Sequence, residues 1–600
     1  MPKQIKWNLT DMFKNDTDPA IAEERARIEK ATQSFVDTWR ERTDYLDDPA
    51  ILAKALEQYE DWKESFGYGG KLAYYFSLRL YEDQNDKKVL AKNRLIDDFV
   101  TEQVNLVRFF ELNIAKIPEE TQKNLLEDSR LAHYHHFLRR QFVKAQYQLS
   151  DKEESILTLT ASPAYQQWVD MLESFLTKEE RTILNEDQKN IKADFSTIIN
   201  LIDNRKKKVR DTAAAAFNDI LAKHVDTAEA EINAVLSYRK TIDLIRKTPR
   251  PDTTRHLVDD MDTEVVDTVV EAVSARNQIA QDFYRLKAEL LGVKKLAYHE
   301  RNIEYGSIEK RYSWDEGFEL VDRVFQRLHP DFAKILRDFR DEGRFDVFPR
   351  KGKSSGAFCA YYLISLPVYV LLNYAGTLQD ILTLAHEMGH AINDELIRRK
   401  QSALYFGTST ATAEVASTFM EDFVIEELLN EADDDLRLSL NLHKLNQDVS
   451  AIFRQIAFYQ FEQELHAKVR SQGYLPKEEI GEIFQRYMHG YMGDSVEQSP
   501  GSENWWVYVG HFRKFFYVYT YASGLLISKS LQQQVRADNS AIEQVHAFLS
   551  TGLSESPKET FSKMGIDMTE ATFWDKGLDG IKKQLDETRG LAKRLGKVKE

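Results

Sequence analysis

Apolar residues recur three and four positions apart along most of this 600-residue chain, which is the period of one face of an α-helix. The pattern is regular from Pro19 to Ile117, and Asp48-Pro49 has the sequence of an N-cap followed by a first helical residue. A polar stretch at residues 184–193 is typical of a link between domains. The sequence therefore predicts a helical N-terminal domain over residues 1–195 and a second domain over residues 196–600.

The pattern changes between residues 340 and 412, where glycines become frequent and short β-prone runs interrupt the helices. Val368-Tyr-Val-Leu-Leu is one such run, and we expect a small β-sheet here. After Ala411 the helical period returns and continues almost to the end of the chain. The predicted fold class is mainly α with one small sheet, and the segment that interrupts the helices is the first place to look for a functional site.

Composition and charge narrow the class of protein. Hydrophobic residues make up 42% of the chain and aromatic residues 11%, which is enough apolar surface to exclude a disordered protein. The net charge of −16 argues against general binding to nucleic acid or to anionic membranes. Cys359 is the single cysteine, so no intramolecular disulfide can form, and the N-terminal residues lack the apolar core of a signal peptide. We therefore expect a soluble, cytoplasmic protein.

The segment His386-Glu387-Met-Gly-His390 contains two imidazoles four positions apart, with a glutamate beside the first. Four residues advance an α-helix by about 400°, so both rings project from nearly the same face, as two neighbouring ligands of a tetrahedral zinc ion do. An apolar stripe supports a helix here, and Thr377 stands where an N-cap is expected. The alternative, two histidines buried in a helical core, does not account for the glutamate.

A catalytic zinc site of this type needs a third protein ligand and one open position. Glu414 follows His390 by 24 residues and opens an apolar helix. Because a glutamate on a second helix can complete the ligand set, the predicted metal ligands are His386, His390 and Glu414. The competing interpretation is that Glu414 is only a favourable charge near a helix N-terminus.

Three runs of residues surround this predicted site. They are His386-Glu-Met-Gly-His390, Gly407-Thr-Ser, and the segment from Glu414 to Glu421. These runs resemble the active site of the thimet oligopeptidase family, and more closely that of its bacterial oligopeptidase F branch. The stretch Trp7-Asn-Leu-Thr-Asp-Met-Phe and residues 511–524 are also similar to this family, so the resemblance covers nearly the whole chain.

The resemblance implies a large, mainly helical, zincin-like peptidase in two parts, with a small β-sheet beside the zinc helix. It further implies a deep channel with one zinc ion per chain on its floor, where short peptides are cut and folded proteins are excluded. Asn393 departs from the family pattern, because several members of the broader family carry a histidine at that position. That histidine is not one of the zinc ligands, so the predicted metal site is unaffected.

The catalytic residues are Glu387 and, by resemblance, a group of aromatic side chains near the C-terminus. Glu387 is rotated about 100° from His386 on the helix, so it can take a proton from the water that zinc activates and deliver it to the leaving nitrogen. His511 with Tyr517 or Tyr521 resembles the family's transition-state stabilisers, and helical spacing would place their rings on related faces. Which tyrosine donates is open.

Four further residues or segments also receive an interpretation from the sequence. Glu421 either accepts a hydrogen bond from a zinc-binding imidazole or is an ordinary structural glutamate. Asp380 fits a capping box with Thr377 better than a place in the site. Val368 to Tyr374 is predicted to be an edge strand that pairs with an extended substrate by strand addition. Tyr519 is expected to pack in the core.

Together these features predict a cytoplasmic zinc endopeptidase that hydrolyses internal bonds of short, unstructured peptides. One alternative is a zinc carboxypeptidase with the same ligands, which would release single residues from the carboxyl end. The other is a catalytically silent peptide-binding relative, against which the intact Glu387 argues because binding alone needs no base. The expected partners are short peptide substrates, with neither nucleic acid nor a membrane, and no oligomeric state is predicted.

Overall fold

The computed structural model describes residues 5–67, 69–306 and 310–599. Most of these residues are helical, which confirms the predicted fold class. The α-helices of the first half of the chain are Ala20–Trp39 (α1), Pro49–Ser65 (α2), Gly70–Glu82 (α3), Lys87–Val107 (α4), Phe109–Ala115 (α5), Glu119–Glu127 (α6), His135–Ala145 (α7), Asp151–Ala161 (α8), Gln167–Thr177 (α9), Phe195–Ile202 (α10), Lys207–Arg246 (α11), Thr253–Asp259 (α12), Thr263–Ala275 (α13) and Gln278–Leu290 (α14). Those of the second half are Trp314–Leu328 (α15), Pro330–Asp341 (α16), Leu378–Lys400 (α17), Ala413–Glu431 (α18), Asp434–Asp448 (α19), Arg454–Gln472 (α20), Lys477–Met492 (α21), Tyr519–Ala537 (α22), Ile542–Leu549 (α23), Pro557–Lys563 (α24) and Ala571–Arg594 (α25).

The predicted small sheet is present and packs against α17. Its strands are Phe345–Asp346 (β3), Phe358–Ala360 (β4) and Tyr369–Leu371 (β5), in the order β3-β5-β4, with β5 parallel to β3 and antiparallel to β4. The prediction that Val368 to Tyr374 forms an edge strand is therefore wrong. Residues 368–372 are at most 1% exposed, and such a continuous apolar run is typical of a strand covered on both sides.

The polar stretch predicted to link two domains also folds differently. Strands Glu180–Leu184 (β1) and Asn190–Asp194 (β2) form an antiparallel hairpin across it. Its inward positions Ile183 and Ala193 are buried, while the polar residues between them face outward. The alternation of one buried and one exposed residue stabilises a hairpin even where the mean composition resembles a loop.

The described residues form two compact units, each built from three separate segments. The first comprises residues 1–146, 309–427 and 534–564, and the second comprises 147–308, 428–533 and 565–600. The boundary predicted at residues 195 and 196 lies inside the second unit, where β2 runs directly into α10 and where α10 and β1 pack against α11. The period of apolar residues along a segment does not indicate which distant helices that segment packs against. A functional division between residues 1–195 and 196–600 stays a prediction.

The N-terminal segment supports the small sheet of the first unit. The indole Nε1 of Trp7 donates to the carbonyl of Val370 at 2.9 Å, and the hydroxyl of Tyr369 donates to the carbonyl of Asn8 at 3.0 Å. Trp7 and Tyr369 also pack edge to face and belong to one apolar core with the helices of residues 20–145. Trp7 and Asn8 thereby hold the central strand that precedes α17.

Candidate active site

Helix α17 is fixed at its start by the predicted capping box. Thr377 Oγ1 accepts from the Asp380 amide at 3.2 Å, and the Asp380 carboxylate accepts from the Thr377 amide at 2.7 Å. Both contacts satisfy backbone or side-chain groups that an uncapped helix would leave unpaired. Asp380 therefore belongs to the helix cap, as its sequence context indicates.

Gly389 allows α18 to lie unusually close to α17. A Cβ atom at this position would be 2.5 Å from the Cα of Ser417 and 2.6 Å from the carbonyl oxygen of Ala416. No larger residue fits without separating the two helices. The close approach brings Glu414, in the first turn of α18, to the two histidines of α17.

The three predicted ligands converge on one point. Glu414 Oε2 is 3.4 Å from His386 Nε2 and 3.7 Å from His390 Nε2, and one ligand atom from each residue lies within 4.8 Å of the others. The two imidazole planes are inclined by 81°. A tetrahedral ion with bonds of about 2.0–2.1 Å separates its ligand atoms by roughly 3.3 Å, so this donor set fits zinc in both spacing and chemistry.

A second layer of side chains orients these ligands. Glu421 Oε2 lies 3.0 Å from His386 Nδ1, which directs Nε2 of the same ring toward Glu414. Ser417 Oγ donates to Glu414 Oε2 at 2.9 Å. Burial by itself lowers the pKa of His386, because it favours the neutral ring. The hydrogen bond to Glu421 and the negative charges of Glu421 and Glu414 have the larger combined effect, and they raise this pKa to about 9. The site therefore attracts positive charge.

Glu387 combines burial with contact to the edge strand β4. It is 8% exposed, and this burial is the largest cause that raises the pKa of its carboxyl to about 7. The nearby charge of Glu414 acts in the same direction, whereas His386 and a hydrogen bond from the backbone N–H of Cys359 oppose it. A carboxyl with a pKa near neutrality is suited to accept and return a proton.

Sequence reasoning missed the surroundings of that edge strand. Cys359 Sγ lies 3.6 Å from Asp394 Oδ2, and burial raises the pKa of Asp394 to about 8. Asp394 is two turns after Glu387 on α17, so the spacing of the two acids on one helix face was the available signal. Asn393, the departure from the family pattern, donates to the Leu549 carbonyl at 2.6 Å and accepts from Thr408 Oγ1 at 3.1 Å. Its role is to tie the loop before α18 to its neighbours.

The predicted aromatic group gathers in the second unit, but not on one helix. His511 lies in the short 3₁₀ turn Gly510–Arg513, and α22 begins only at Tyr519. The expectation of continuous helical spacing is therefore wrong. The rings nevertheless meet. The ring of His511 stacks on that of Tyr517, with 5.3 Å between the ring centroids, and both rings pack against Tyr521. The hydroxyl groups of Tyr517 and Tyr521 are 3.5 Å apart.

The loop between this 3₁₀ turn and α22 explains how the rings meet. Phe515 and Phe516 have φ angles of 54° and 60°, a left-handed conformation that is uncommon for bulky residues. The Phe516 amide donates to the buried Glu462 carboxyl at 3.0 Å, which helps to hold the turn. Tyr519 is fully buried and its hydroxyl donates to Asp259 at 2.8 Å, as its predicted core position requires.

A second group of metal-type ligands occurs among the described residues. It consists of Asp211, His299 and Glu300. Glu300 already forms two ion pairs: its Oε1 is 2.6 Å from Nη2 of Arg210 and 3.2 Å from Nζ of Lys207. These cations supply the charge that a metal would bring, so the cluster serves as an ion-pair network within the second unit.

Two histidines one helical turn apart, a glutamate between them and a second carboxylate on a neighbouring helix form a site of the metallopeptidase type. Residues 164–580 match the family model described as peptidase family M3, and residues 113–173 match the model described as oligopeptidase F. The chain belongs to peptidase family M3 and is a peptidase. This result confirms the family resemblance found in the sequence.

Several known proteins match this chain over nearly its whole length. An oligoendopeptidase F homolog of Lactococcus lactis subsp. lactis is 24% identical over 99% of this chain and 98% of that protein. A homolog of the same name from Borreliella burgdorferi is 26% identical over 98% of each. The crystal structure of oligoendopeptidase-F from Enterococcus faecium has a TM-score of 0.68 at 19% identity, covering 96% of this chain and 98% of that one. The crystal structure of a Chlamydophila abortus protein has a TM-score of 0.84 at 20% identity, covering 98% of this chain and 98% of that one.

A helix that crosses a lipid bilayer must be long and continuously apolar. Within the described ranges no helix is both long and apolar enough to span one.

Proposed function

We propose that this peptidase is a zinc-dependent oligoendopeptidase of the cytoplasm that hydrolyses internal bonds of short, unstructured peptides. The observation that carries the proposal is the convergence of His386, His390 and Glu414 beside the buried carboxyl of Glu387. The relatives that extend over the whole chain carry oligoendopeptidase names, which supports internal cleavage.

The metal would be held by His386, His390 and Glu414. When bound there, zinc would supply Lewis-acid polarisation of a water molecule and of the scissile carbonyl. Glu421 keeps the His386 ring turned so that Nε2 faces the site, and Ser417 holds one oxygen of Glu414. These contacts reduce the reorganisation that ligation requires.

Proton transfer is assigned to the Glu387 carboxylate. An oxygen of this group takes a proton from the attacking water and then returns it to the nitrogen of the departing amine. Burial and the neighbouring Glu414 raise its proton affinity, while the Cys359 amide holds its position. His511 and the hydroxyls of Tyr517 and Tyr521 are proposed, from the family resemblance, to donate hydrogen bonds to the developing oxyanion.

Strand addition remains part of the proposal, but on a different strand. Because β5 is central, the two edge strands of the sheet are β3 and β4. Strand β4 contains Cys359, whose backbone N–H contacts Glu387, so a peptide paired with this edge would pass beside the proposed base. A complex with an uncleaved peptide analogue that made no main-chain bonds to residues 358–360 would remove this element.

The test is to incubate the purified protein with a length ladder of unstructured peptides, with and without chelator and zinc re-addition, and to identify the products by mass. We expect internal cuts confined to short peptides, lost on chelation and restored by zinc. Stepwise release of single C-terminal residues would favour a carboxypeptidase. Peptide and zinc binding without cleavage would favour a silent binder.

A further inference from the structure

A small cavity in the second unit is lined by arginine and aromatic side chains, of which the proposed chemistry uses only His511. It encloses about 170 Å³ and includes Arg301, Arg454, Gln455, Phe458, Trp505 and His511 in its walls. Pockets that hold a whole drug-sized ligand are about 300–1,000 Å³, so this volume suits a single amino-acid residue. The cavity therefore has the size of one subsite.

Among the described residues, neither arginine of the cavity forms a direct ion pair with a carboxylate, although the charge of each acts on the carboxyl of Asp203. Arg301 is 5% exposed, and its Nη1 donates to the Tyr298 carbonyl at 2.9 Å while its Nε is buried without a hydrogen-bond partner. The Nε of Arg454 is also buried without a partner. In the part of the chain that the structure describes, no ion pair joins either guanidinium group to an acid. A buried guanidinium group without a directly bonded carboxylate is incompletely compensated, and a ligand carboxylate would supply the missing direct partner.

The Arg301 guanidinium group is held rigidly in place. Its central carbon lies 4.3 Å from the ring centroid of Tyr298 and 4.5 Å from that of Trp505. Stacking of this kind fixes the plane of the group and leaves N–H donors free at its edge. The donors are thus preorganised for a planar anion such as a carboxylate.

The lowered pKa of His511 is consistent with a positive potential in the same cavity. Burial is the largest cause that lowers the pKa of His511, to about 4, and the charges of Arg454 and Lys514 lower it further. The ring is therefore neutral near physiological pH and adds no charge of its own. Arg454 lies close enough for its field to act on the wall of the cavity that carries His511.

Gln455 adds an acceptor beside these donors. It is 6% exposed, and its Oε1 is buried without a hydrogen-bond partner. Arg454 and Gln455 directly follow the π-helical turn Val449–Phe453, an irregularity that often marks functional sites. Two guanidinium donors next to one amide acceptor match a carboxylate with an N–H group close to it.

We propose that this cavity binds the C-terminal carboxylate of a peptide substrate, with Arg301 and Arg454 donating to its oxygens and Gln455 accepting from the last amide N–H. A terminal carboxylate fits better than an acidic side chain, because only the former carries an amide N–H on the adjacent carbon. The aromatic walls at Phe458 and Trp505 receive the last side chain. The inference rests on the proposed function in one respect, namely that the ligand is a peptide.

The test measures binding of three probes that contain no bond between two amino acids. They are N-acetylleucine, N-acetylleucinamide and the α-amide of N-acetylglutamate, titrated calorimetrically into the full-length, zinc-loaded protein. We expect N-acetylleucine to bind at least about ten-fold more tightly than its amide, a difference of about 1.4 kcal/mol. The glutamate probe, whose carboxylate is on the side chain, should bind more weakly than N-acetylleucine.

Substitutions then locate the binding. Arg454→Gln should reduce the ratio of acid to amide affinity to about one, and Arg454→Lys should leave an intermediate ratio because it keeps the charge but loses the planar fork. Arg285→Gln removes an exposed arginine of the same unit and should leave the ratio unchanged. Circular dichroism of each variant verifies folding, and the comparison of probes on the unsubstituted protein stands if a variant fails to fold.

Three results would overturn the inference. The first is equal affinity for the acid and the amide, and the second is tighter binding of the glutamate probe. The third is a preference for the acid that survives Arg454→Gln and disappears on chelation, because the carboxylate would then bind the metal. If the protein binds N-acetylleucine as expected but cuts no peptide, the proposed function fails while the carboxylate site stands.

Discussion

At the scale of single residues, the site depends on side chains whose surroundings change their chemistry. Glu387 is buried beside Glu414 and has a pKa near 7, whereas Glu421 and Ser417 direct the groups that would hold the metal. The motif alone predicted Glu387 and offered Glu421 as one of two interpretations. It did not predict Ser417 or the Cys359 amide, because neither has a sequence spacing that implies contact.

Replacing the proposed base separates proton transfer from metal binding. Glu387→Gln keeps the size of the side chain but removes the group that accepts a proton, so we expect kcat to fall by about 10²–10⁴-fold while the zinc content stays near one per chain. Peptide assays with metal analysis by mass spectrometry check both values. Glu426→Gln, on the exposed part of α18, is the matched control and should leave kcat unchanged. Near-normal turnover of Glu387→Gln would exclude the mechanism.

At the scale of elements, the contact between α17 and α18 determines whether the ligands can meet. The sequence predicted both helices and the positions of their ligands, because the apolar stripe and the caps are local signals. The crossing distance is set by Gly389, which looks like an ordinary helix-weakening residue until its neighbour is known. The 3₁₀ turn at His511 is a similar case, since its left-handed residues Phe515 and Phe516 are bulky and carry no turn signal.

Adding a methyl group at position 389 tests whether this glycine sets the distance between α17 and α18. Gly389→Ala would force Ser417 and Ala416 away, so we expect a loss of stability of about 1–3 kcal/mol and weaker zinc binding, despite the better helix propensity of alanine. Gly490→Ala in α21 is the control, because no atom lies within 4 Å of the added Cβ. It should be neutral or slightly stabilising. Thermal unfolding and zinc competition with a chelator measure both effects, and equal behaviour of the two variants would contradict the packing argument.

At the scale of the whole molecule, each unit is assembled from three stretches of chain that are far apart in sequence. Each unit also buries ionisable groups that make stability depend on pH. Glu462 in the second unit is fully buried and accepts one bond from the Phe516 amide, and burial raises its pKa to about 8. Its proton is therefore retained in the folded state at pH values where an unfolded chain has released it.

The sign of this effect gives a pH-dependent prediction. Because the folded-state pKa is raised, the stabilising contribution is complete below about pH 4.3, the usual pKa of glutamic acid, and is lost as the pH rises to about 8. Glu462→Gln stays neutral at every pH, so its melting temperature should equal that of the unsubstituted protein near about pH 5 and exceed it by a few degrees near about pH 9. Scanning calorimetry at one scan rate measures the difference.

The matched control for this prediction is Glu482→Gln, at an exposed position of α21. Its melting temperature should follow that of the unsubstituted protein across the pH range. A Glu462→Gln variant that is less stable than the unsubstituted protein near about pH 9 would show that the carboxyl at this position is ionised and paired in the folded state.

The sequence by itself determined the features that depend on near neighbours along the chain. These are the mainly helical class, the capping box at Thr377, the two histidines on one face of α17 and the position of Glu414 at the start of α18. Short-range hydrogen bonding and helical periodicity act over a few residues, so their signals are local.

Only the tertiary structure decided the features that depend on contacts between distant segments. It made β5 the central strand, turned residues 180–194 into a hairpin and divided the chain into two units of three segments each. Among the described residues it also left Arg301 and Arg454 without a direct ion pair to an acid. Strand order, burial and charge pairing are set by which segments pack together. That choice reflects the free energy of the whole chain, and no single stretch of sequence contains it.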